Sequence, residues 1–278
     1  MSTTTMITAA QVNELRQKTG AGMMDCKKAL TEANGDMDAA IDYLRKQGQK
    51  VAAKREDRAA TEGLVIAKVT ANGAKGVLVC VNCETDFVAK NADFGKFADT
   101  IADIALNSSA SNVDELKSQD FQGTTIAEKI IEQTGIIGEK IDISGFGIIN
   151  AAKVVAYNHP GNQIATIVGF NKATTDDLGK QVAMQVAAMA PIAVDNDTVP
   201  ADVIAKELEI AKELAMQEGK PADMAEKIAH GRLNKFYKES TLLNQEFVRD
   251  NKKTVKQFIQ EADKDLTVTD FKRISLSI

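Results

Sequence analysis

The order strand, turn, strand, helix occurs twice in this chain, and no other feature of the sequence constrains its fold as strongly. Leu64 to Val69 and Val77 to Cys83 are β-branched runs on either side of Asn72-Gly73. An Asn-Gly pair between such runs signals a hairpin, because both central residues of the tightest turn need positive φ. A helix should follow, with Phe94, Phe97, Ala98, Ile101, Ile104 and Ala105 forming one apolar stripe. The order then returns. Val154 to Tyr157 and Ile164 to Phe170 flank His159-Pro160-Gly161-Asn162, where Pro and Gly suit the central positions of a type II turn. A helix from Asp176 or Asp177 carries Leu178, Val182, Val186 and Met189 on one side and stops at Pro191. These units predict an α+β fold with two similar lobes, each an antiparallel sheet covered on one face by helices. The two share a pattern rather than residues.

The segments around the lobes read differently. The N-terminal stretch predicts three short helices. The first has a Thr8/Gln11 capping box, an apolar side of Val12 and Leu15, and a stop at Gly20. Met23, Cys26, Leu30 and Ala33 recur at helical spacing in the second, which Asn34-Gly35 ends. Asp36 caps the third, which buries Ala40, Ile41 and Leu44 and closes at Gly48. Weaker helical signals occupy Val113 to Lys117 and Ile126 to Gln133, the latter capped by Thr124 or Thr125. Within residues 199–239, Ile204, Leu208, Ala211 and Ala215 follow coiled-coil seam spacing. Gly219-Lys220-Pro221 then separates them from a return helix bearing Ala225, Ile228, Arg232, Leu233 and Phe236, which predicts an inserted antiparallel helical hairpin. A helix from Thr254 follows, and a last strand in which Ile274, Leu276 and Ile278 alternate with Ser275 and Ser277. The expected organisation is a three-helix domain over 1–48, a linker over 49–61, a first lobe over 62–140, a second lobe over 141–198 and 240–278, and the hairpin over 199–239.

Composition narrows the function. The chain has 278 residues, enough for two or more domains, and its 44% hydrophobic and 26% charged residues are ordinary for a globular protein. Without Trp and with only 5% aromatics, its cores must be built from Ala, Ile, Leu, Val and Met. Thirty-four basic against 39 acidic residues give a net charge of −5, which argues against a surface built mainly for phosphate, and so against direct nucleic-acid binding. Three Cys are too few for a disulfide framework and fit a reducing compartment. Met1 to Gln11 has neither the basic nor the apolar region of a signal peptide, and no run is long enough to span a membrane, so a cytoplasmic location is expected.

Reactive chemistry is poorly provided for. Cys80 and Cys83 form a lone C-x-x-C inside an apolar strand, whereas a redox pair belongs at a helix start and a zinc site needs four ligands. Both read best as small hydrophobes. There is no phosphate-cradling glycine loop and no nucleophile elbow, and neither His has a partner by spacing. No enzyme activity and no cofactor are expected. Three features suit binding to another protein. Met23 joins the buried stripe while Met24 falls beside Lys27 and Lys28, an adaptable contact or only a surface Met. Thr85-Asp86-Phe87-Val88 follows the strand ending at Cys83; Thr85 or Asp86 can cap a helix, and Phe87 is either a knob offered to a partner or a plug for its own lobe. His159 sits at a hairpin tip.

Two stretches carry a resemblance to a known family. Thr19-Gly20-Ala21-Gly22-Met23-Met24-Asp25-Cys26-Lys27-Lys28-Ala29-Leu30 and Asn82-Cys83-Glu84-Thr85-Asp86-Phe87-Val88-Ala89-Lys90 resemble the two signatures of the elongation factor Ts family. Tyr157-Asn158-His159-Pro160-Gly161 is similar to the tip of that family's second lobe, and Gly219-Lys220-Pro221 with Ala225 to Ile228 to its helical hairpin. The resemblance covers nearly the whole chain. It implies a ubiquitin-associated-like N-terminal domain, a two-lobed core, and a guanine-nucleotide exchange factor that binds elongation factor Tu in its GDP-bound and nucleotide-free states without covalent chemistry. It further implies that Arg16, Met23, Met24 and Lys27 meet the partner's nucleotide domain, and that Thr85, Asp86, Phe87 and Val88 serve magnesium displacement from the partner. Asn158, His159 and Gly161 would touch another partner domain, and a homodimer through the helical hairpin is a further association open to the chain. Two departures stand out. Longer family members carry a helical C-terminal module beyond the last strand, a contact expected to be missing here, and Gln181 and Gln185 stand where some relatives have His.

Overall fold

A computed structural model describes residues 6–276. It is α+β. Three helices open it: α1 (Ala9–Thr19), α2 (Met23–Glu32) and α3 (Met37–Arg55). The Thr8/Gln11 capping box forms, and Gly20 ends α1 in the left-handed conformation at φ 73°. Asp36 caps α3 by accepting from the Ala39 N–H at 2.8 Å. Leu15, Cys26, Ala29, Leu30 and Ala40 make the small core of these helices. Met23 is not part of it. It is 53% exposed, because a residue in the first turn of α2 lies beyond the reach of the α1 and α3 side chains that cover Cys26 and Leu30.

The chain continues through β1 (Glu62–Val69), β2 (Lys75–Cys83), α4 (Asp86–Ala89), α5 (Ala92–Asn107) and α6 (Val113–Lys117). Then come β3 (Asp120–Phe121), β4 (Thr124–Thr125), α7 (Ile126–Ile137) and β5 (Asp142–Asn150). The β1–β2 connection departs from the tightest hairpin turn. Only Gly73 has positive φ, at 68°, and its N–H donates to Thr70 O at 2.8 Å. This places Gly73 last in a four-residue turn, a position glycine also favours. Asn72 braces this wider turn, its Oδ1 accepting from Thr70 Oγ1 and from the Ala74 N–H.

Gly48 does not close α3; the helix runs on to Arg55 with Gly48 buried inside it. A glycine inside a helix costs about 1 kcal/mol against alanine. Here it permits close approach of α7: a Cβ on Gly135 would lie 2.5 Å from the Gly48 Cα. Two missing side chains let the backbones of α3 and α7 meet, and that contact outweighs the loss of propensity.

The rest of the chain forms β6 (Lys153–Asn158), β7 (Ile164–Phe170), α8 (Asp176–Met189), α9 (Ala201–Gln217), α10 (Ala222–Ser240), β8 (Glu246–Phe247), β9 (Asp250–Thr254), α11 (Val255–Ala262) and β10 (Val268–Ser275). By packing, the chain divides into two compact units. One takes in residues up to Leu64 with Val79–Phe146, the other Val65–Leu78 with the chain from Gly147. β1, β2 and β5 form one three-stranded sheet with β2 central, and β10, β7 and β6 another with β7 central. In the second sheet all pairing is antiparallel, with Val168 facing Val155 on one side and Phe271 on the other. Leu178, Val182 and Val186 of α8 pack on Val155, Val168 and Phe170. Met189, expected on the same stripe, is 47% exposed, since Ala190 takes φ 43° and turns the chain away. The Pro160-Gly161 turn forms as expected, with Gly161 at φ 89° and the Asn162 N–H donating to His159 O at 2.9 Å.

α9 and α10 pack through Ala211, Ala215, Ala225, Ala229 and Leu233, and Arg232 spans them with one nitrogen 2.7 Å from Glu218. β10 begins earlier than the last-strand pattern suggested and ends at Ser275; Leu276 lies past it, and Ser277 and Ile278 lie outside the described residues, as do Met1 to Thr5. The α3–α7 crossing yields a direct test. Gly135→Ala should lower stability by roughly 1–3 kcal/mol, the usual cost of overpacking. Thermal unfolding of the variant checks it.

Candidate functional site

The loop after β2 is where the most exposed large apolar side chain of any described strand or helix is found. Phe87 is 83% exposed. It belongs to α4, a helix of four residues with none buried. So short a helix has no cooperative stability of its own, and isolated helices need about 12–15 residues to be even marginal. Its order must come from its flanks.

Those flanks are held by two carboxylates in reciprocal fashion. Glu139 accepts from the Glu84 N–H at 3.2 Å, from the Thr85 N–H at 3.1 Å and from the Thr85 hydroxyl at 2.7 Å. Glu84 in turn accepts from the Lys140 N–H at 2.6 Å and from the Arg55 guanidinium at 2.7 Å. Arg58 stands 3.8 Å from its second oxygen. The Thr85 hydroxyl donates to Glu139, and the same oxygen accepts from the Val88 N–H at 3.4 Å, which caps α4. The Lys140 N–H and the Arg55 cation hold the Glu84 carboxyl below its usual range. Asp86 is also lowered, by the hydrogen bond from Lys90 at 2.6 Å, one turn along. Its carboxylate is thus presented with a counter-ion already beside it.

Beneath the loop, both cysteines of the C-x-x-C are buried and free. The Cys83 thiol donates to Thr85 O at 3.2 Å, and burial with the nearby Glu139 charge pushes it up to about 12. Burial raises Cys80 as well.

The remaining residues of interest lie on two other surfaces. Arg16 on α1 and Met23, Met24 and Lys27 on α2 are all exposed, Met24 at 75%. Asn158, His159 and Gly161 cluster at the β6–β7 turn, but with different duties. Asn158 clips its amide to the backbone of Ala67 in both directions, at 2.8 and 3.0 Å. His159 is exposed, with Nδ1 2.9 Å from the Tyr157 hydroxyl. Gln185 is fully buried: its amide donates to Gln245 Oε1 and Glu246 O and accepts from the Val248 N–H, so it ties α8 to the β8–β9 segment. Gln181 is partly exposed and donates to Asp177 at 2.7 Å.

Sequence reasoning gave no role to Glu139 or Arg55, and quoted Tyr157 in the turn motif without its bond to His159. Glu139 is separated from Thr85 by 54 positions and follows an ordinary helix end at Gly138, so no local spacing marks it. Among the described residues, no three or more His, Cys, Asp or Glu side chains gather where they could hold a metal. No described helix is long and apolar enough to cross a membrane.

Comparison with known proteins bears on the whole chain. The family model for "Elongation factor TS" matches residues 84–277. Relatives named elongation factor Ts include one from Christiangramia forsetii, 50% identical over 97% of this chain and 98% of its own length. Those from Flavobacterium psychrophilum and Chloroherpeton thalassium are 51% and 48% identical, covering 97% and 95% of this chain and 98% and 94% of their own. Similarity of this extent places the chain among the elongation factors of protein biosynthesis. It belongs to the elongation factor Ts family.

Two measurements follow. A carboxylate whose pKa is depressed in the folded state stabilises above its unfolded pKa, and that stability is lost as pH falls through the folded one. The protection factor of the Lys140 amide, its exchange relative to an unstructured chain at the same pH, should therefore be full at neutral pH and fall as pH drops below about 4. Cys80 and Cys83 should resist a thiol reagent at neutral pH until the protein unfolds; fast modification of both in the native state would point instead to redox chemistry.

Proposed function

We propose that this protein is the guanine-nucleotide exchange factor of elongation factor Tu, binding its GDP-bound and nucleotide-free forms. Family membership supports the general role, and the loop carrying Phe87 supports the particular mechanism. Exchange of this kind requires no covalent step. The factor binds best to a partner conformation that holds nucleotide and magnesium poorly, and by linkage nucleotide and factor weaken each other equally.

Magnitudes decide how many contacts are needed. Turning a population from mostly bound to mostly released takes about 5.5 kcal/mol of differential affinity. Burying one Phe supplies roughly 1.5–3 kcal/mol. Phe87 alone falls short, so several surfaces act together on one partner of several domains. Phe87 enters an apolar pocket beside the magnesium site, while Asp86 exchanges its Lys90 hydrogen bond for one to the partner. Thr85 and Val88 complete the stretch that displaces magnesium. Arg16, Met23, Met24 and Lys27 meet the nucleotide domain, where the unbranched Met side chains adapt to its surface. His159, on the turn shaped by Gly161, contacts a second domain, with Asn158 bracing that turn.

The observation that carries this reading is the exposure of Phe87 on a loop fixed by hydrogen bonds rather than by burial of the ring itself. A Phe left in water in the free protein gains its burial only in a complex. Phe87→Ala should slow GDP release from elongation factor Tu roughly ten- to a hundredfold, the value of the lost burial. Fluorescent-GDP release in a stopped-flow instrument reads this. Release as fast as wild type would refute the wedge, and release unaffected by the wild-type chain would leave a binding scaffold in its place.

A further inference from the structure

We infer that Glu139 is a positioning residue for exchange, acting through Phe87 by fixing the cap of α4. The inference rests on the exchange role given to Phe87 above.

Three features of the geometry support it. First, Glu139 is the acceptor for every hydrogen-bond donor of Thr85, its backbone N–H and its hydroxyl, and also for the N–H of Glu84. No other described side chain accepts from these three groups. Second, the direction of the Thr85 hydroxyl matters. Its bond to Glu139 holds Oγ1 in place, and a lone pair of that fixed oxygen receives the Val88 N–H at 3.4 Å, the side-chain cap of α4. Third, nothing else in α4 can substitute. It has no buried residue, and its Asp86–Lys90 pair is exposed, the kind of ion pair that contributes little. Besides the single turn's own backbone bonds, such as the Ala89 N–H on Thr85 O at 3.2 Å, there is the Cys83 thiol on the same carbonyl, a weak donor.

A carboxylate is the right group for this task. Three donors converge on it from one side, and a charged acceptor makes stronger bonds than a neutral one. A Gln side chain offers a single acceptor oxygen and would turn an NH2 toward either the hydroxyl or the two N–H groups. Glu84 supplies the other half of the clasp, binding Lys140 next to Glu139 and drawing on Arg55 at the end of α3. The segment that holds Glu139 is therefore itself held. Phe87 is aimed before any partner arrives, so association does not pay the entropy of ordering the loop.

The test is a double-mutant cycle on the full chain, read by fluorescent-GDP release from elongation factor Tu. Glu139→Ala should lower the maximal release rate about tenfold, the worth of charged hydrogen bonds lost from a cap. Glu139→Gln should fall between it and wild type. The decisive arm is Glu139→Ala combined with Phe87→Ala. If Glu139 acts through Phe87, the double variant releases GDP no more slowly than Phe87→Ala alone. Losses that multiply would overturn the inference, since they would mean that Glu139 supports the fold at large. So would an unchanged rate for Glu139→Ala beside a slowed Phe87→Ala. If Phe87→Ala itself has no effect, the exchange role of Phe87 is what fails. Should Glu139→Ala not fold, Glu139→Gln takes its place in the cycle. Amide exchange at Thr85 and Val88 in the variants, with the rest of the chain protected as in wild type, locates the loss in the loop.

Discussion

A helix of four residues cannot order itself, and the geometry around Phe87 depends on that limit. Nucleating a helical turn fixes several dihedrals for a single hydrogen bond, so α4 exists only because Thr85 caps it. Thr85 in turn is set by Glu139, and the neighbour of Glu139 by Glu84. The sequence of dependence runs from buried strand, through two carboxylates, to an aromatic ring in solvent. Cys83 ends the buried part at 0% exposure, and Phe87 stands four residues later at 83%. Two negative charges so close would repel, and the arrangement tolerates them because Arg55 and Arg58 attend Glu84 while Glu139 is surrounded by donors.

The same economy runs through the second unit. Asn158 uses its amide to clip the β6–β7 turn to Ala67, and Gln185 spends its own on three partners around β8 and β9. In both places a neutral side chain stands in a position where a charged or titrating one would have changed the energetics. A fully buried His at position 185 would have to lose or gain a proton with the environment; Gln meets the same donors and acceptors without titrating.

Much of this was legible in the residues. Caps were the most readable: Thr8 and Asp36 announce their helices by residue type, the choice between Thr124 and Thr125 falls to Thr125, and the helix expected from Thr254 has that residue as its cap. So was the Pro160-Gly161 turn, because Pro presets φ at the first central position and Gly tolerates the positive φ, 89° here, that the second requires. Failures came where tertiary contact overrode local preference. Gly48 looks like a stop, and only the presence of Gly135 across from it explains why the helix continues. Met23 has the period of a core residue but sits a turn too early to be covered. In the candidate site, Phe87 and its neighbours were visible as a motif. Glu139 was not, because a side chain that bonds backbone 54 positions away leaves no periodic trace.

The alanine contact between α9 and α10 has a further consequence. Ala211, Ala215, Ala225 and Ala229 offer little side-chain volume to distinguish one layer of the hairpin from the next. What breaks that uniformity is the buried Leu233, the turn at Gly219 with φ 79°, and Arg232, which reaches from the middle of α10 to Glu218. The arm is a ruler with nearly uniform graduations. An arm graduated in this way can lose or gain a turn in both helices at once while the cores at its base keep their packing.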